Sequence, residues 1–203
     1  MGRRGDHTFD QLNNMILDAT EELLSEEGFH SVSTRKIASR IGYSVGTLYN
    51  IFQNIDDIYM HLNGRTLDVL IDILSKALND KMRSPIKSIA YAYIKFSIDD
   101  FNAWSLLFEY RFQDDIIVPK WYSDRIEQLY DIVGNALGKV LQVDDTAKLK
   151  EYVTVLWAGI HGICILSTKG KLSRAGIQES QSLVLIDNFI DNYLNGIKLK
   201  GGG

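Results

Sequence analysis

Three observations predict an all-α chain in two parts. Apolar residues recur at spacings of three and four rather than alternating, and only two prolines, Pro85 and Pro119, interrupt 203 residues. The stretch from Ser33 to Phe52, STRKIASRIGYSVGTLYNIF, also reads as two short helices around a glycine turn. The expected architecture is an N-terminal three-helix unit containing this helix-turn-helix, joined by a long helix to a larger helical body, with about nine helices in all.

The first helix is expected over Phe9 to Glu27, where Phe9, Leu12, Ile16, Ala19 and Leu23 form one apolar stripe, and Gly28 stops it. Ser33 is placed as the N-cap of the second, with Val32 and Ile37 at the spacing of a hydrophobic staple, and Gly42 supplies the left-handed residue that ends it. Ser44 then caps a third helix reaching Phe52, with Leu48 and Phe52 facing inward and Val45, Thr47, Tyr49 and Asn50 facing out. Asn54 caps a connecting helix over residues 55–78, with Asp56 and Asp57 at the positive end of its dipole; at about 1.5 Å per residue it spans on the order of 35 Å. The polar stretch 79–84 is a candidate boundary, and Pro85 opens the next helix, over 86–101. Further helices are expected over 103–112, 120–141, 147–168 and 178–194, with a loop over 113–119. The domain division read from this pattern is 1–54 for the helix-turn-helix domain, 55–200 for the helical body and 201–203 for a tail outside the fold.

Composition narrows the class. With 45% hydrophobic and 24% charged residues the chain has the balance of a globular protein, which excludes a disordered or fibrous one. A single cysteine, Cys164, excludes an internal disulfide framework and fits a reducing cytoplasm. The basic start MGRRGDHT is followed by no apolar run, so no signal peptide is read. The net charge is −4, yet between Phe29 and Ile55 there are three basic residues, Arg35, Lys36 and Arg40, and no acidic one. A surface that approaches phosphates has to avoid carboxylates, so this pattern points to double-stranded DNA. A two-helix corner that binds nothing is the alternative.

Near the C-terminus, Val153 to Leu166 (VTVLWAGIHGICIL) is apolar on every side, so the helix is expected to be buried all round. It is too short, and too interrupted by His161, to be read as a membrane span. The last helix is also broad-faced. If each packs one side on its own chain, the rest is available to a second copy, giving a homodimer through the last two helices; a large monomer core is the alternative. Gly159 and Gly162 are placed for close helix approach.

At this point the sequence resembles the TetR/AcrR transcriptional regulators. The resemblance rests on Ile37-Ala38, the turn glycine Gly42 and the run Gly46, Thr47, Leu48, Tyr49 to Phe52, and covers roughly residues 8–60. A shorter match, WAGIHG from Trp157 to Gly162, resembles the Trp-x-x-x-His-Gly signature of one ligand-domain subgroup. Two positions depart from the pattern. Ile55 stands where a phosphate-binding lysine is usual, and Ile51 where an aromatic or histidine is common. The resemblance implies a homodimeric repressor on a palindromic operator, released when a small molecule in the C-terminal body changes the spacing of the two readers.

Arg35, Lys36, Ser44, Thr47 and Tyr49 are assigned to phosphate contact or groove entry, and Val45, Gly46 and Asn50 to the base-facing surface. Val45 suits a thymine methyl, Asn50 an adenine edge, and Gly46 close backbone approach; Arg35 has guanine as a second option. Arg3 and Arg4 are either a DNA-touching arm or a solvated terminus. The aromatic-rich stretch from Tyr91 to Tyr122 suggests a pocket for an apolar or aromatic effector, with Trp104, Phe108, Trp121 and Trp157 as its candidates, though such stretches also build cores. His161 and Cys164 are two ligands, too few for a structural metal site, so a hydrogen-bonded histidine and a buried thiol are expected, with no metal and no cofactor. An all-helical enzyme is the rival class, but no glycine-rich phosphate loop, Gly-x-Ser-x-Gly or metal-spaced carboxylate cluster is present. A protein of this fold acting through protein contacts alone is the third.

Overall fold

A computed structural model describes residues 7–113, 116–178 and 181–201. The proposed arm of Arg3 and Arg4, the tail residues Gly202 and Gly203, and Asp114 and Asp115 of the expected loop lie outside the described residues. Among those described, all regular structure is helical. The order is α1 (Phe9–Glu27), a 3-10 turn (Phe29–Ser31), α2 (Thr34–Ile41), α3 (Val45–Tyr49), α4 (Ile55–Ala77), α5 (Pro85–Asp99), α6 (Phe101–Glu109), α7 (Lys120–Leu141), α8 (Thr146–Thr168), α9 (Lys171–Arg174) and α10 (Ser182–Gly201).

Local chemistry accounts for the boundaries. Thr8 and Gln11 form a reciprocal capping box that starts α1: the Thr8 hydroxyl accepts from the Gln11 amide at 3.2 Å, and the Gln11 side chain accepts from the Thr8 amide at 2.8 Å. Asn54 starts α4 by accepting from the Asp57 amide at 2.9 Å, and Asp145 starts α8 by accepting from Ala147 and Lys148. Three expected spans are corrected. The helix after Ser44 stops at Tyr49, and Phe52 reaches the core from the turn beyond it. The helix expected over 103–112 is α6, Phe101–Glu109, because Tyr110 is extended at φ −71° and ψ 128°. The last helix begins at Ser182 and continues past Gly196 to Gly201, since a glycine inside a packed helix weakens it without ending it. The short α9, which follows Gly170 in the left-handed region at φ 63°, has no apolar period long enough to be read.

The chain divides into two compact units, Met1–Asp68 with Asp100–Tyr122, and Val69–Asp99 with Ser123–Gly203. In the first, the inner faces of α1, α2, α3 and α4 meet: Ile16, Ile37 and Leu48 are wholly buried, with Leu24, Phe52, Ile58, Leu62 and Leu106 around them. The Tyr59 hydroxyl donates to the Phe29 carbonyl at 3.0 Å, and the Tyr110 hydroxyl donates to the buried carboxylate of Asp56. These two bonds tie the start of α4 to the turn after α1 and to the segment after α6.

In the second unit α8, α10 and α5 pack on one another. Val153, Leu156, Ile160 and Cys164 of α8 and Ile186 and Ile190 of α10 are buried. The hydroxyls of Ser167 and Ser182 pair at 2.9 Å, and Tyr91 donates to Asp187 at 2.6 Å. The expectation that the helix through Val153–Leu166 is buried all round holds on one side only within a single chain: Val155 is 49% exposed, Trp157 38% and Leu166 45%. The complete α8, at 23 residues, is also longer than the apolar stretch read from sequence, and by length and composition alone it reaches the size of a membrane span. Here it is a packed helix of the second unit.

Candidate nucleic-acid interface

The helix-turn-helix is built by its caps. Ser33 accepts from the Lys36 amide at 3.3 Å, which starts α2 and sends Ile37 and Ala38 inward. Gly42, at φ 73° and ψ 24°, turns the chain, while the Tyr43 amide closes the end of α2 on the Ala38 carbonyl at 2.9 Å. Ser44 starts α3 by accepting from the Thr47 amide at 3.2 Å, and its oxygen lies 2.9 Å from the Thr47 hydroxyl. Leu48 is wholly buried, and this anchor fixes which side of α3 faces solvent.

The candidate DNA-contacting residues fall into three groups. Arg35, Ser44, Gly46, Tyr49 and Asn50 are exposed, Tyr49 at 52%. Val45 and Thr47 are half-buried, Val45 packing partly on the core. Lys36 is exposed but ion-paired with Glu27 of α1. Gly46 has room for a side chain, since a Cβ there would meet only the Ser44 hydroxyl at 3.7 Å. Nothing in the described chain therefore requires a glycine at 46, and close approach by a partner would.

Charge on this surface differs from the sequence pattern. The carboxylates missing between Phe29 and Ile55 are supplied in space by α1. Arg40 makes a two-pronged bond to Glu26, at 2.6 and 3.1 Å, and a third bond to Glu22 at 3.1 Å. These bonds hold the Glu26 carboxyl below its ordinary range and raise the Arg40 guanidinium. Among the described residues Arg35 makes no ion pair, so it is the basic residue of α2 left open to a phosphate. The signal was readable in the run EELLSEE at the end of α1, whose glutamates recur at helical spacing. These glutamates precede Phe29 and so lie outside the stretch whose charges are all basic.

Two further contacts were not foreseen. His7 Nδ1 lies 2.6 Å from the Tyr43 hydroxyl, tying the residue before the N-cap of α1 to the turn between α2 and α3. Ile55 packs partly on the core, which gives a physical reason for an apolar residue where the TetR/AcrR pattern has lysine.

The aromatic candidates separate. Trp104, Phe108 and Trp121 belong to the first unit and Trp157 to the second. Trp104 is wholly buried beside Phe101 and Phe108. Trp121 lies over Gly64, where a Cβ would come 2.8 Å from the indole, and against the His61 ring. Trp157 packs on His161, whose Nδ1 is 2.6 Å from the Tyr93 hydroxyl. His161 is thus a hydrogen-bonded histidine, and Cys164 is wholly buried, with burial pushing its thiol up to about 12. A separate cleft of about 680 Å³ between α7 and α8 is lined by Tyr130, Asn135, Lys139, Lys150 and neighbours, and by none of the four aromatic candidates. Among the described residues no group of three or more His, Cys, Asp or Glu is placed to hold a metal ion.

Comparison with known proteins agrees with this geometry. The family model described as "Bacterial regulatory proteins, tetR family" matches residues 16–62, which span most of α1, all of α2 and α3, and the start of α4. Over 187 residues the chain is 30% identical to the "Uncharacterized HTH-type transcriptional regulator YobS" of Bacillus subtilis (strain 168), covering 90% of this chain and 91% of that protein. Among solved structures, a TetR-family transcriptional regulator from Streptomyces coelicolor superposes with a TM-score of 0.61 at 18% identity, over 89% of this chain and 98% of that one. The transcriptional regulator FadR from Bacillus subtilis, in complex with stearoyl-CoA, gives 0.63 at 17% identity, over 90% and 98%. At these identities the two structures speak for the fold, while the sequence relative carries the family. The chain belongs to the TetR family of bacterial regulatory proteins and is a DNA-binding transcriptional regulator, not an enzyme.

Proposed function

We propose that the protein is a cytoplasmic, homodimeric repressor that binds a palindromic operator and is released by a small apolar or aromatic effector. Residues 1–54 are the DNA-binding part and 55–200 the effector-binding and dimerisation part. The observation that carries the DNA assignment is the exposed face of α3 with its cap, Ser44, Gly46, Tyr49 and Asn50, held in one orientation by the buried Leu48. Arg35, Ser44, Thr47 and Tyr49 serve phosphates and groove entry, and Val45, Gly46 and Asn50 face bases. Lys36 reaches a phosphate only in exchange for Glu27.

The homodimer is supported by the apolar residues that α8 and α10 leave exposed, Val155, Trp157, Leu166, Leu183 and Val184. Trp157 is better used on that face than in a pocket, which leaves Trp104, Phe108 and Trp121 as effector candidates. A dimer has to set its two α3 helices about 34 Å apart to enter successive major grooves, so an effector that changes this spacing weakens binding. The FadR structure in complex with stearoyl-CoA supports an effector with a long apolar part.

The test is footprinting on DNA flanking the protein's own gene, with a salt titration of the footprint, followed by a screen of acyl-CoA thioesters and aromatic acids for its loss. A protected palindrome with a steep negative salt slope is expected. No protection at low salt sinks the operator assignment, and a monomer by light scattering sinks the dimer.

A further inference from the structure

We propose that Glu22, Glu26 and Glu27 of α1 set the DNA specificity of this regulator by occupying Lys36 and Arg40 and so withholding two cations from the phosphate backbone. The inference rests on the DNA-binding reading of α2 and α3 and adds a role for a helix outside it. Lys36 and Arg40 are one turn apart on the face of α2 turned to α1. Opposite them, Glu27 takes Lys36, while Glu26 and Glu22, also one turn apart, take Arg40. Three carboxylates therefore face two cations. The carboxylates before them on α1 do not add to this excess, because Asp18 and Glu21 are engaged by Arg65 of α4.

Every side chain in these pairs is about a third exposed or more, and exposed pairs add little to folding. Their consequence falls on association instead. Contacts from basic side chains to phosphates supply nearly all sequence-independent affinity. An intramolecular carboxylate competes with a phosphate for the same cation, and an excess of carboxylate within a Debye length repels the backbone. The protein thus binds arbitrary DNA with fewer cations than α2 carries, and the base-facing residues of α3 decide a larger share of where it binds.

The test measures binding of the full-length protein to a short mixed-sequence duplex and to its footprinted operator across a salt series. In the Glu22→Gln, Glu26→Gln, Glu27→Gln triple variant, affinity for the mixed-sequence duplex is expected to rise at low salt. Its log–log salt slope should steepen by about 0.9 for each cation recruited. Adding Lys36→Gln and Arg40→Gln should abolish the gain. Should the triple variant not unfold cooperatively, Glu27→Gln alone frees Lys36 and should steepen the slope by about 0.9. An unchanged slope overturns the inference, as does a gain that survives loss of both cations. A fall in affinity on removing the carboxylates also overturns it, since it would mean they only orient α2. Wild-type protein that binds neither duplex at low salt overturns the DNA-contact reading itself, a separate result from binding with an unaltered slope.

Discussion

The ring of Phe189 lies on Gly159 so closely that a Cβ on the glycine would come 2.0 Å from the ring's Cζ atom, whereas at Gly162 nothing lies within 4 Å. Both glycines suggest close helix approach in the sequence, but within one chain only the first is used for it, where α8 meets α10. Gly159→Ala is expected to displace Phe189 and cost about 1–3 kcal/mol, the usual penalty of overpacking. Gly162→Ala has free space in a single chain and is expected to gain about 0.5–1 kcal/mol from helix propensity. Urea unfolding at two protein concentrations checks both. A concentration-dependent loss in Gly162→Ala, in place of the gain, would put Gly162 against the partner subunit.

Arg35 and Lys36 are adjacent in sequence but differ in what they touch. Arg35→Ala is expected to make the salt slope of operator binding shallower by about 0.9, while Lys36→Ala changes it by clearly less because Glu27 already holds that cation. Tyr49→Ala should lower affinity with an unchanged unfolding midpoint, since its ring is half exposed and outside the core. Equal slopes for the two basic variants would remove the distinction between them.

How much of this was legible in sequence follows from the range of each interaction. The caps at Ser33, Ser44 and Asn54 are legible because a cap is decided within three or four residues. The buried positions Ile37, Leu48 and Phe52 were read from spacing alone. The charge on α2 was misjudged because its partners Glu22, Glu26 and Glu27 lie 9 to 18 residues earlier and meet it only once α1 and α2 pack. How the aromatics are grouped is not legible for a related reason. Composition marks 91–122 as aromatic-rich, but the two compact units share that stretch out, and Trp157 comes from elsewhere. No local signal says to which unit a ring belongs.

Tyr110 reaches the buried Asp56 from the segment after α6, and two of its three ring neighbours, Phe29 and Tyr59, are core residues, the third being Phe112. Tyr110→Phe keeps the ring and removes the donor, leaving a buried carboxylate one partner short. A loss of about 1–3 kcal/mol is expected. If the bond also holds the start of α4 beside α2 and α3, operator affinity should fall with it, and Asp56→Asn combined with Tyr110→Phe should cost less than the two separate losses together. Full additivity in urea unfolding would show that the two side chains do not act as a pair.

Alkali is expected to unfold the protein through groups the fold keeps protonated. Burial pushes the Cys164 thiol up from 9.0 to about 12. Burial, and secondarily the Asp56 charge, pushes Tyr59 from 10.0 to about 12. Burial, with Tyr152 and Glu151 nearby, does the same for Tyr193. In each case the unfolded chain releases its proton first, so the folded state binds more protons through the window between the two values. Stability is then fully present below about pH 9 and falls as pH rises toward about 12. Urea midpoints should be flat up to about pH 9 and decline above it, with Cys164→Ala lowering the plateau but moving the onset toward pH 10, where the tyrosines of the unfolded chain begin to ionise. The same burial predicts that a thiol-alkylating reagent at about pH 8 modifies the urea-unfolded chain and leaves the folded one untouched. An onset that does not move in Cys164→Ala would assign the alkaline loss to the tyrosines alone.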